Sequence, residues 1–199
     1  MKSQIGLSHL EAIPSAIFDE FVQDVASENV ELEIRAHGGV FAGIDWLMPT
    51  AIMLFISRAY FDAIFSEMGK DHYKVLKRGI KALQRRAMAF RIVQKGTPGK
   101  VSDRPLYSRG FSIMVAIADR LTLKFLIQPD LAEVDAEKAL TAFLDLVQSI
   151  SDRSIDAETL ERLEAGRVVG RTLLLAYDFE TERIVTVDPM PSGPITEGD

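Results

Sequence analysis

From Val30 to His37 the chain alternates: Val30, Leu32, Ile34 and Ala36 fall on one side, and Glu31, Glu33, Arg35 and His37 on the other. Alternation with period two is the pattern of a half-buried strand, and Gly38-Gly39 closes it. Ahead of it, Pro14 to about Ser27 reads as a helix with Ile17, Phe21 and Val25 on one stripe. The stretch GIDWLMPTAIMLFISRAYFDAIF, residues 43–65, is the most apolar in the chain. Its uncharged run, Trp46 to Ser57, is too short for a bilayer, which needs roughly 20 apolar residues. Pro49 suits a first helical position, and Arg58, Asp62 and Ser66 recur four apart, so the pattern predicts a helix over 49–65. Gly69 reads as its stop and Asp71 as the cap of a next helix to about residue 90, with Leu76, Ile80, Leu83 and Ala87 inward.

Residues 94–110 carry Pro and Gly enough for a long loop. Two β-rich runs then flank Asp119-Arg120 and predict a hairpin. Residues 131–150 follow a helical period, with Ala132, Ala136, Leu140, Phe143, Leu144 and Val147 inward. A shorter helix runs from Asp156 to about Ala165, and RTLLLAYD and RIVTVDP form a second hairpin around FETE. Setting the first helix and the last strand aside, the order is strand, helices, strand, strand, helices, strand. The expectation is an α+β fold of ferredoxin-like, split βαβ type: an antiparallel sheet with helices on one face, plus an N-terminal helix and a C-terminal hairpin strand. It makes one domain over 1–187, followed by a Pro/Gly-rich tail at 188–199.

Composition changes this picture in one respect. The 199 residues are 47% hydrophobic and 26% charged, ordinary for a globular chain, and the net charge is −6. Yet residues 70–109 hold twelve Lys/Arg against two Asp/Glu, a balance of +10, and the remainder carries −16. Segregation of that kind speaks to surface potential and partners. Lys74, Lys77, Lys81 and Arg85 recur at helical spacing with Arg78 and Arg86 beside them, and Lys100 continues the charge into the loop. These seven are the candidate site for an anionic partner.

Other chemistry is sparse. Cysteine is absent, which removes disulfides, thiolate nucleophiles and Cys-based metal sites. His9, His37 and His72 have no metal-ligand spacing. His37-Gly38-Gly39 lacks the GxSxG nucleophile that would make it a hydrolase loop. GTPGK at 96–100 lacks the phosphate-loop glycine, since Gln94 stands in its place, and Val101 follows Lys100 where Ser or Thr is needed. Glu31 and Glu33 share a strand face with His37, the one arrangement suited to acid–base work.

The expectation is therefore a non-enzymatic binding or regulatory protein, without cofactor or metal, contacting an acidic protein surface or another copy through residues 70–109. Two alternatives stand beside it: a membrane-associated effector that inserts helix 49–65 at an anionic surface, and a small enzyme using Glu31, Glu33 and His37. Nucleic acid fits less well, because few aromatics accompany the charges. The first fifteen residues lack the apolar run of a secretory signal, so the expected location is the cytoplasm, with membrane attachment no more than peripheral.

Overall fold

A computed structural model of the chain describes residues 3–26, 30–38, 50–63, 69–89, 106–118 and 121–189. Among them are eight strands and five α-helices: β1 (Ser3–Leu10), α1 (Asp19–Val25), β2 (Val30–His37), β3 (Ile52–Ile56), α2 (Arg58–Ala63), α3 (Gly69–Met88), β4 (Phe111–Ala118), β5 (Leu121–Leu126), α4 (Glu133–Ser151), α5 (Ala157–Glu164), β6 (Val168–Val169), β7 (Thr172–Asp178) and β8 (Arg183–Thr186). A 3₁₀ turn, Ser15–Phe18, leads into α1. The turn at Asp119-Arg120, the loop from 90 to 105 and the tail from 190 onward lie outside the described residues.

All eight strands join one sheet in the order β2-β1-β3-β4-β5-β7-β6, with β8 also on β7. Three neighbouring pairs are parallel: β1 with β2, β3 with β4, and β5 with β7. Each is bridged by helix: α1, then α2 and α3, then α4 and α5. The seams between these βαβ units, β1–β3 and β4–β5, are antiparallel. The sheet is thus mixed, which corrects the expected ferredoxin-like antiparallel sheet. A split βαβ places a third strand between the two it connects, whereas here each connected pair is adjacent.

Two misread segments explain the correction. Residues 3–10 form β1 with Ile5, Leu7 and His9 buried on alternate positions. Ile52–Ile56 is a strand and not the first turns of a helix over 49–65. It sits between β1 and β4 with Ile52, Leu54 and Ile56 wholly buried. A strand in the middle of a sheet reads as an unbroken apolar run, which periodicity alone cannot separate from a buried helix. Arg58 and Asp62 do lie one turn apart, 3.4 Å from each other, on the short α2. The helix over 49–65 on which the membrane alternative was built is thus replaced by β3 and the short α2. Among the described residues no helix is long and apolar enough to cross a membrane.

The registers bring one face of the sheet into line. Leu7 stands against Leu54, Leu54 against Ile113, Ile113 against Phe125, and Phe125 against Leu175. These residues share the core with Phe21 and Val25 of α1, Leu76, Ile80 and Leu83 of α3, and Leu140, Phe143 and Val147 of α4. The inward stripes expected of α3 and α4 are buried, except Ala132, which precedes α4 and is exposed. Gly79 lies where α3 meets α1. A Cβ there would come 3.2 Å from Val25 and 3.3 Å from Phe21, so the glycine that weakens the helix lets α1 approach it. α3 begins at Gly69, two residues before the expected cap Asp71.

The second face differs in chemistry. Ser112, Lys124 and Thr172 are buried on it, Lys124 at 1% exposure in the middle of β5, and Thr50 meets Ser112 hydroxyl to hydroxyl at 2.6 Å.

Candidate functional site

The cations of the basic helix α3 face two neighbouring helices. Lys77 reaches Asp145 at 3.1 Å, Lys81 reaches Glu137 at 3.0 Å, and Arg85 reaches Glu133 at 2.8 Å. α3 numbers rise as α4 numbers fall, so the two helices run antiparallel, cations on one and carboxylates on the other. On its other flank α3 meets α1. Arg86 pairs with Glu20 and also donates to the carbonyl of Ile17 at 3.2 Å, and Arg78 lies 3.9 Å from Asp24. Lys74 is exposed on the same helix, and Lys100 lies outside the described residues. Among the described residues Lys77, Arg78, Lys81, Arg85 and Arg86 are thus engaged by carboxylates of their own chain. Lys77 and Lys81 keep about a quarter of their side chains in water, while Arg78 and Arg85 are over half exposed. Exposed pairs of this kind add little to stability individually, because water screens them. Together they turn a one-sign stripe into a surface of matched signs. A groove of 220 Å³ runs between Arg85, Lys81 and Gln84 of α3 and Glu133 and Glu137 of α4. Its rim carries those same pairs.

The carboxylate row lies on β2. Glu31 and Glu33, with Gly6 and Phe55, line a shallow hollow of 170 Å³. Gly6 leaves the space between the two strands' side chains: a Cβ there would sit in ordinary contact with Phe55, at 3.6 Å. Both carboxylates are exposed, and Arg35 holds Glu33 through Nε at 2.7 Å and Nη2 at 2.6 Å. His37 is half-buried at the strand end and does not line the hollow. Its backbone carbonyl accepts the N–H of Glu11 at 3.0 Å. An acid–base pair needs carboxylates in contrasting surroundings aimed at one reacting group. This row instead presents two glutamates followed by an arginine along an exposed strand. Among the described residues no group of three His, Asp or Glu could hold a metal ion.

The three histidines divide by environment. His9 is a core residue, its Nδ1 2.9 Å from the carbonyl oxygen of Leu10 and its ring 4.7 Å from that of Phe18. His72, in the first turns of α3, stacks obliquely near Tyr60, and its Nε2 is buried without a hydrogen-bond partner among the described residues. Burial holds the His72 pKa below the ordinary 6.5. The folded state therefore binds fewer protons than the unfolded chain near and below pH 6.5. His72 then contributes stability that is complete above that pH and is lost as the pH falls through it. His72→Gln is expected to flatten the fall in unfolding free energy between about pH 7 and pH 5. Equal slopes for variant and parent, measured by urea titration, would remove this role.

Sequence reasoning missed the buried Lys124. Its signal is a single charge inside the run LTLKFLIQ, which alternation on a one-sided sheet would have sent to solvent. It also missed that β2 is the outermost strand on its side. Compared with known proteins, the chain matches no family model, and no curated protein or solved structure matches it.

Proposed function

We propose that the protein is a non-enzymatic binding protein that acts by contact with another protein surface, first of all another copy of itself. The observation that supports this reading is the open strand β2. Glu31, Glu33, Ile34, Arg35 and Ala36 are all exposed, so among the described residues the strand from Glu33 to Ala36 is open on both faces, while Val30 and Leu32 pack toward the core. The expected contact through the cations of α3 is weakened by their pairing within the chain, since a polyanion would have to displace carboxylates already in place. The acid–base reading of Glu31, Glu33 and His37 lacks a shared reaction centre.

Chromatography with mass measured on-line tests the reading. At about 10 mM and about 1 M salt the screening lengths are about 30 Å and 3 Å. The expected result at low salt is a species heavier than the 22.1 kDa chain, shrinking at high salt. A single chain mass at every concentration and both salts would end it.

A further inference from the structure

We infer that two copies of the chain join edge to edge through β2, antiparallel, in one register centred on Ile34. This deepens the binding reading above and rests on it. The first observation is position. Among the described residues β2 pairs with β1 alone, from Ser3↔Val30 to Leu10↔His37, and none of them lies as a strand on its other edge. An open edge is a template for a further strand, and natural sheets blunt such edges with charge, proline or bulges. β2 carries charges, but in an order that matches itself.

Backbone geometry limits the choice of register. The carbonyl of His37 faces β1, since it accepts the N–H of Glu11. Successive residues of a strand turn their backbone groups to opposite sides. The odd residues Glu31, Glu33, Arg35 and His37 are therefore bonded inward, and Leu32, Ile34 and Ala36 turn N–H and C=O outward. A second copy related by a two-fold axis must set outward residues against outward residues. Six centres satisfy that rule with at least three residues of each strand overlapping, and the outermost of them, Glu31, sets Glu31 against its own twin. Centred on Leu32, Glu31 faces the partner's Glu33. Centred on Glu33, Glu33 faces its own twin, and centred on Arg35, Arg35 does. Centred on Ala36, only residues 35–37 of each strand overlap and no carboxylate meets a cation. Like charges directly opposite destabilise a sheet.

The remaining centre is Ile34. Glu33 then faces the partner's Arg35 at two symmetric places, and Glu31 faces the partner's His37. These fall at the non-hydrogen-bonded positions, where opposed Cα atoms approach to about 4.5 Å and side chains meet most closely. Ile34 exchanges both backbone bonds with its twin, and Leu32 does the same with the partner's Ala36. Ile34 is 37% exposed in the single chain, and it gains a copy of itself beside it on the helix-bearing face. The Glu33–Arg35 bond now closed within one strand reopens across the seam without loss of either charge's partner. The contact is isologous, as a two-fold pair requires. One strand pair is a small interface, so the dimer dissolves on dilution.

The experiment compares wild type, Glu33→Arg, Arg35→Glu and an equal mixture of the two variants, by mass across a dilution series. Wild type is expected to pass from chain mass to twice that mass as concentration rises. Each variant alone sets like charge against like charge and is expected to dimerise about tenfold more weakly or worse. The mixture restores opposite charges at both places and is expected to recover the wild-type mass. Hydrogen exchange on wild type gives a readout without substitution: the amides of Leu32, Ile34 and Ala36 slow with concentration, and those of Glu33 and Arg35 do not. Variants that dimerise like wild type, a mixture that stays monomeric, or even-numbered amides indifferent to concentration would each overturn the register while leaving the binding reading standing. A wild type monomeric throughout would overturn both.

Discussion

Phe125→Ala is expected to lower stability by about 3–5 kcal/mol, the range for removing a fully buried ring. The residue stands at the middle of the sheet, between Ile113 of β4 and Leu175 of β7. Its ring lies parallel to that of Phe143 on α4, centroids 4.6 Å apart at 8°, and both residues are fully buried. Truncation would leave a hole at the junction of three strands and a helix, where neighbours already fixed by ladder hydrogen bonds have little room to close in. A domain of this size holds about 5–15 kcal/mol in total, so this one change removes a large share. Urea unfolding should show the midpoint falling with an unchanged slope. Phe125→Leu keeps most of the volume and is expected to cost under about 1.5 kcal/mol. A loss under about 1 kcal/mol for the alanine variant would show that β5 is not where the topology puts it.

Tyr60→Phe is expected to act in the opposite sense and raise stability by about 1–3 kcal/mol, the cost of a buried polar group left without a bond. Tyr60 is 0% exposed and its hydroxyl has no hydrogen-bond partner among the described residues. The same burial pushes its phenol pKa far above the ordinary 10.0. The ring contributes elsewhere: it meets Phe61 edge to face at 6.0 Å and lies 5.9 Å from His72, contacts that phenylalanine retains. The backbone N–H of Tyr60 bonds the carbonyl of Ser57 at 3.1 Å and so fixes the start of α2, independently of the side chain. A gain of 1 kcal/mol corresponds to roughly 2–4 °C in a thermal scan at this chain length. A fall in midpoint would mean that the hydroxyl is satisfied in solution.

Much of this fold can be read along the chain. The strand at Val30–His37, the helices at Gly69–Met88 and Glu133–Ser151, and both hairpins follow from period and turn residues alone. Three segments resist such reading for physical reasons. In β1 the outward positions are Gly6, Ser8 and Leu10, too varied to stand out beside a buried His9. In β3 both faces are covered to differing degrees, so the run IMLFI has no polar beat to mark it. In β6–β7 the turn uses Gly170 and Arg171, both with left-handed φ of 53° and 73°, and the arginine hides a tight hairpin that an Asn-Gly pair would have announced. The parallel partnership of adjacent strands was equally invisible, because it depends on which strand each helix returns to. As for the site, charge spacing located the cations of α3, and the sequence holds their partners Glu133, Glu137 and Asp145 about fifty to seventy positions away. No local pattern links residues so far apart. The self-matching order Glu33-Ile34-Arg35 was on view from the start, but it gains meaning once β2 is known to be outermost.

The uniform sign of each rail in the α3–α4 ladder bears on how the chain finds its shape. Were α3 to shift by one turn against α4, Lys81 would meet Asp145 and Arg85 would meet Glu137, still in attraction. Charge therefore cannot choose the alignment; that falls to Leu76, Ile80 and Leu83 seating among Leu140, Phe143 and Val147. What the charges can do is draw two distant stretches together from beyond van der Waals range, early, while the helices are free to slide into their final fit.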